Sequence, residues 1–167
     1  MRIFGRLIGN SSGSAAVEMA LVAPFLLIIM MGSVELGNFF LDEHSLVKAV
    51  RDGARFAARQ SFTGYPDCST VSTSVQDATK NVVMYGYLSG STVLTPNISA
   101  SNITVGTSCA TTAGGQTMQG IYRLRASGAQ IVTVSATVNY RPILSSFGFT
   151  GRGLTIYAAS QAAVQGI

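Results

Sequence analysis

Glu18 is the residue whose chemistry the sequence places least easily. It is the one charged side chain between Arg6 and Glu35, and it opens an uncharged, mostly apolar run from Met19 to Val34. A carboxylate at the centre of a bilayer costs about 2.5–3.5 kcal/mol, less near an end, so such residues require a partner and a function. One partner arises if the chain is cut between Gly13 and Ser14. Ser14 then carries a free ammonium four residues before Glu18, on the same helix face. The carboxylate also falls in the first turn of the shortened helix, where the backbone dipole favours negative charge. In an assembly, Glu18 could instead neutralise the Ser14 amine of a neighbouring subunit and so report correct register. The plainer reading is that Glu18 caps an uncut signal anchor.

Other ionisable residues are sparse. Arg51, Arg55 and Arg59 recur at four-residue spacing and line one helix face. They form either a docking stripe for an acidic partner or a solvated face relieved by Asp52. Glu35 closes the apolar run and either snorkels to the membrane surface or makes a specific ion pair. His44 is the single histidine, so no histidine cluster for a metal exists, and Cys68 and Cys109 are only two soft ligands. Neither a Ser/His/Asp nor a Cys/His set stands out, and no carboxylate pair lies outside the helix, so an enzyme is not expected. The segment 110–120 is glycine-rich, but no Lys-Ser/Thr follows and no strand-to-helix switch frames it, which excludes a phosphate loop. A net charge of +4, scattered without a long basic block, is no footprint for nucleic acid. No cofactor is implied.

The elements that must carry these residues follow from composition and periodicity. Of 167 residues 47% are hydrophobic and only 11% charged, against a usual charged share of about 25%. With a mean hydropathy of +0.37, part of the chain belongs out of water. Met19–Val34 alone makes about 24 Å of helix, short of the roughly 30 Å hydrocarbon core. Counting from Ser14 gives about 31 Å, which spans and places Glu18 about one turn inside the membrane. The leader, residues 1–13, is basic and free of acids. The small residues Ser14, Ala15 and Ala16 precede the apolar run rather than follow it, which argues against removal of the whole run as a secretory signal. Arg2 and Arg6 against Glu35, Asp42 and Glu43 place the N-terminus in the cytoplasm. Pro24 predicts a bend within the run.

Beyond the membrane, Leu36, Phe40, Val47, Val50, Ala54 and Ala57 continue a helical stripe, so anchor and spine read as one helix to about Gln60. Gly53 within it is expected to permit close packing. A loop over residues 61–70 leads to a second amphipathic helix from about Val71 to Leu88. Residues 89–101 read as irregular, Ile103 and Val105 as a short strand ending near Cys109, and 110–120 as a mobile turn. Gln130–Tyr140 alternates strictly and predicts a half-buried strand, with a partner strand through Leu154, Ile156 and Ala158. The aromatic connection from Ile143 to Arg152 is a contact loop or an ordinary hairpin connection. The expected fold class is α+β: a leader (1–13), a transmembrane and spine helix (14–60), and an extracytoplasmic domain (61–167) with a small antiparallel sheet.

The stretch GSAAVEMALVAPFLLIIMMGSVELG, followed by AVRDGARFAARQ, resembles the TadE-like proteins of the Tad (tight adherence, Flp) pilus system. Gly13 followed by SAAVE also looks like a type IV prepilin cleavage site, with Met19 where Flp-type sites usually carry an aromatic. The resemblance covers residues 13 to 60 closely and the C-terminal strand pair loosely. It implies a minor pilin (pseudopilin) of the inner membrane, single-pass with its C-terminal domain in the periplasm. Gly13 and Ser14 would flank the cut and Glu18 would be the assembly glutamate. Partners would be the prepilin peptidase, the Flp major pilin, other Tad pseudopilins, and the Tad inner-membrane platform with its ATPase. The alternative is an uncleaved single-pass protein whose domain is a binding or adhesion module. In an oxidising periplasm Cys68 and Cys109 would either bridge, for roughly 4 kcal/mol in the chain-entropy model, or remain two buried thiols.

Overall fold

A computed structural model describes residues 12–166 apart from 124, 149 and 152. The leader arginines Arg2 and Arg6, and Phe149 and Arg152 of the aromatic connection, therefore lie outside the described residues. The first helix, α1, covers Ser12–Ala58 and continues through Pro24 without interruption. The chain separates into two compact units, Met1–Asn38 and Phe39–Ile167, so that α1 contributes to both.

In the first unit nearly every apolar side chain faces outward. Leu21, Phe25, Ile28 and Ile29 are each more than 60% exposed. A helix hydrophobic all round is stable only inside a membrane or an assembly.

The second unit has an ordinary core. Its elements are the C-terminal part of α1, a helix α2 (Thr73–Tyr85) and strands β1 (Ile103–Ala110), β4 (Ala129–Asn139) and β5 (Thr155–Ala163). The three strands form an antiparallel sheet in the order β1-β4-β5. Val134 stands opposite Val105 on one side and Ser160 on the other. Val132, Val134, Ala136 and Val138 of the central strand are buried, so the alternation read from the sequence is the alternation of the sheet. The burial follows from the side-chain period of two.

One close approach organises this core. A Cβ placed on Gly53 would lie 2.3 Å from Val83 Cγ2 of α2 and 3.7 Å from Val134 Cγ1 of β4. Ala49, Ala54, Ala57 and Ala58 on the same helix are buried as well. Small side chains thus let α1, α2 and the sheet meet.

Three sequence expectations are corrected. The buried face of α1 centres on Leu46, Ala49, Val50, Gly53 and Ala57, whereas Leu36 and Phe40 are about half exposed and Val47 is partly covered. The apolar spacing was read along a stripe that also fits residues ahead of the packed domain. Helix α2 is shorter at both ends than Val71–Leu88, stopping where Gly86 turns left-handed (φ 82°) and donates its N–H to Val82 O. Such a glycine is the common way to end a helix. Residues 110–120 contain a small hairpin, β2 (Thr112–Ala113) paired with β3 (Gln116–Thr117). Gly114 and Gly115, both at positive φ, form its turn, as a two-residue hairpin of this kind demands.

The end of α1 is stitched by polar contacts. Ala57 O accepts the Tyr65 hydroxyl at 2.5 Å, and Ala58 O accepts Gln165 N–H at 2.7 Å. These satisfy carbonyls that a helix terminus leaves open. Burial pushes the Tyr65 hydroxyl up to about 12. Gln130, fully buried on β4, donates to Tyr65 O at 2.8 Å and accepts from Arg125 at 3.1 Å. Asp67 accepts the backbone N–H groups of Ser69 and Thr70. Its carboxyl is held below the usual range, chiefly by the Ser69 backbone N–H. Next to it Cys68 is bridged to Cys109 of β1, across a sequence separation of 41. The bridge ties the loop after α1 to an outer strand.

Two outcomes follow for stability. Gly53→Leu gains helix propensity of about 1 kcal/mol, but Val83 is wholly buried and cannot yield. Overpacking of that kind costs about 1–3 kcal/mol or more. The thermal midpoint of the full chain in detergent, followed by circular dichroism, should therefore fall; an unchanged midpoint would contradict the apposition of α1 and α2. Replacing both cysteines by serine should cost about 2–4 kcal/mol. Reductant should bring the unaltered protein to the midpoint of the double variant while leaving the variant unmoved.

Candidate functional site

Gly13, Ser14 and Glu18 lie on successive turns at the start of α1, and all three are exposed. The surrounding side chains are apolar and equally open: Val17 and Met19 are 63% and 62% exposed. Helical backbone runs through the Gly13–Ser14 peptide bond, so in the uncut chain Ser14 offers an amide and no charge. Among the described residues Glu18 makes no ion pair. Its environment is thus a carboxylate on an apolar cylinder. A cut after Gly13 would supply the missing positive charge one helical turn away, at the (i, i+4) spacing that brings side chains together.

An apolar run of this character has a physical consequence. The most apolar window of α1 has a mean hydropathy of 2.2, and none of it is buried within the protein. The core helix of a soluble domain would be covered, and this one is not. One long apolar helix near the N-terminus fits a single-pass membrane anchor. Glu35, at the end of the run, is 9% exposed.

The three arginines do not converge on one site. Arg55 and Arg59 line a shallow cleft with Ala162, Ala163 and Gln165 at the end of β5. Arg51 lines a separate groove with Phe40, Glu43, His44, Val47 and Lys48. All three are exposed, and Arg55 lies 3.9 Å from Asp52, itself largely open. An exposed pair at that distance contributes little to stability. Groups of three or more His, Cys, Asp or Glu side chains able to hold a metal are absent among the described residues.

Sequence reasoning missed Gln130 as a polar hub, because it read the residue only as the first position of a strand. A signal existed: Gln130 follows the alternation on the wrong side, polar at the head of an otherwise apolar face. The hub holds the disulfide-bearing loop and has no feature of a ligand site.

No curated protein and no solved structure matches the chain. A family model does match its N-terminal part, and its limits agree with the geometry. The match begins at the glycine before the expected cut, takes in Glu18 and the whole exposed apolar helix, and ends among the packed turns of α1. Over residues 13–55 the chain matches the family model of TadE-like proteins.

Proposed function

We propose that this protein is a membrane-anchored minor pilin, a pseudopilin, of a Tad-type pilus and not an enzyme. The observation that carries this reading is the coincidence of the TadE-like match with the one part of the protein whose apolar surface has no internal cover. In the proposed sequence of events a prepilin peptidase cuts between Gly13 and Ser14, releasing the basic leader on the cytoplasmic side. The mature helix stays in the inner membrane with the disulfide-bonded domain outside. Assembly then moves the helix from lipid into a bundle of like helices, an exchange of one apolar surrounding for another that costs little. Glu18 gives that exchange its direction. In lipid the carboxylate is poorly solvated; against an α-amine of the bundle it gains a charge-assisted hydrogen bond. Major pilin, sister pseudopilins, the inner-membrane platform and its ATPase are the partners this mechanism requires.

Processing has a direct test. Mass spectrometry of protein recovered from peptidase-competent cells should find Ser14 at the N-terminus; an intact Met1 in such cells would overturn the reading and favour an uncleaved anchor carrying a binding module. The carboxylate has another. Glu18→Ala should insert into the membrane as before, since removing a charge eases insertion, yet surface fibres should be largely lost. Full piliation by that variant would reduce Glu18 to a helix cap.

A further inference from the structure

Strand β5 has β4 on one side and no strand on the other. Two bonds fix the direction of its free backbone groups. Tyr140 N–H donates to Leu154 O at 2.9 Å at one end, and Val164 N–H to Gln130 O at 2.8 Å at the other. In an antiparallel pair, residues that bond the neighbour alternate with residues that do not. The even-numbered residues from 154 to 164 therefore bond toward β4. Thr155, Tyr157, Ala159, Gln161 and Ala163 direct their N–H and C=O groups away from it, and all five are exposed. Among the described residues nothing bonds to those groups. Sheet edges are ordinarily guarded by charge, proline or a bulge. This one has none of the three: Thr155–Ala163 carries no charge and no proline and pairs with β4 residue for residue. An edge of that kind accepts another strand.

The cleft beside the edge specifies which strand. Along the inner face of β5, Ile156 and Ala158 are buried but Ser160 and Ala162 only half-buried. At that end α1 presents Arg55 and Arg59, which line a cleft with Ala162, Ala163 and Gln165. The bond from Gln165 N–H to Ala58 O, 2.7 Å long, closes the cleft. A strand laid along β5 turns alternate side chains toward the α1 side, and here toward the arginines. Arg55 has Asp52 at 3.9 Å, and Arg59 has no ion pair among the described residues. Four residues of helix rise about 6 Å, and two residues of strand about 6.7 Å. Two carboxylates one residue apart on an extended segment thus match the arginine pair. A second copy lacks that pattern: of the 7 acidic residues in this chain, none stands two positions from another. Its own β5 would offer the arginines only uncharged side chains.

We infer that the free edge of β5, flanked by Arg55 and Arg59, is a docking groove for an extended segment of a partner protein bearing two acidic residues separated by one other. Main-chain bonds hold the segment and the arginines select it. The inference requires neither the cut at Gly13 nor the membrane anchor, so it stands or falls apart from the pilin reading.

The test follows the fluorescence anisotropy of a labelled, capped peptide titrated with the full chain in detergent. The peptide is as long as β5 and alternates threonine with valine, with glutamate in place of two successive valines. Saturable binding at micromolar concentration is expected. Exchanging both glutamates for glutamine should weaken it about fivefold, the worth of two exposed ion pairs. The protein variant Arg55→Gln with Arg59→Gln should do the same, and combining the two changes should cost no more than either alone. Both arginines are exposed, so circular dichroism of the variant should be unchanged. Methylating the backbone nitrogens of one alternate set of peptide residues should abolish binding, and methylating the other set should spare it, because only alternate N–H groups of a strand face its neighbour. Equal effects of the two methylations would overturn strand addition, and equal binding of the glutamine peptide would overturn the role of the arginines. Failure of the glutamate peptide to bind at millimolar concentration overturns the whole inference; a disulfide formed between copies carrying Ala159→Cys would then give the edge to a second protomer.

Discussion

One helix serves two surroundings, and the rest of the structure answers that constraint. From Met19 to Val34, α1 exposes large apolar side chains on every side. Its C-terminal part buries Leu46, Val50, Gly53 and several alanines on a single face. The first composition suits an environment that demands nothing but hydrocarbon contact. The second suits a partner that must come close. A three-stranded sheet and one short helix are a small amount of cover. They suffice here because Gly53 and its alanine neighbours let backbones approach, so few residues bury the face completely.

Polar groups complete what packing begins. The C-terminal carbonyls of α1 are taken up by a tyrosine and by the chain just beyond β5. A buried glutamine links that region to the loop carrying the disulfide. The buried Gln130 amide is tolerated because both its nitrogen and its oxygen find partners. The effect is to fix the C-terminal part of α1 in the domain by directional bonds at its end and by apolar contact from Leu46 to Ala58.

Much of this was legible. The long helix, the alternating central strand with its partner, the glycine at the tightest contact and the cysteine pair all follow from local pattern or small numbers. The sheet's register was not, because residues 110–128 intervene between β1 and β4, and their Gly-Gly turn sat in a stretch too polar to show alternation. Nor was the face of α1: Leu46 and Val47 are adjacent and equally apolar, and only the position of the domain decides which is covered. At the N-terminal end legibility stops for a different reason. Glu18 makes no ion pair among the described residues, and the pairing proposed for it involves a second molecule or a cut.

The strand order has a consequence for the history of each molecule. The helix emerges first, yet its cover is completed last. β1 pairs only with β4, β4 waits for β5, and the bond to Ala58 O comes from Gln165. During synthesis, then, the alanine face of α1 stays open while most of the chain is still being made, and nearly every contact that closes it is distant in sequence. Folds dominated by such contacts form slowly. A helix already held in a bilayer would give the late strands a fixed template, and the Cys68–Cys109 bridge locks their arrangement once they arrive.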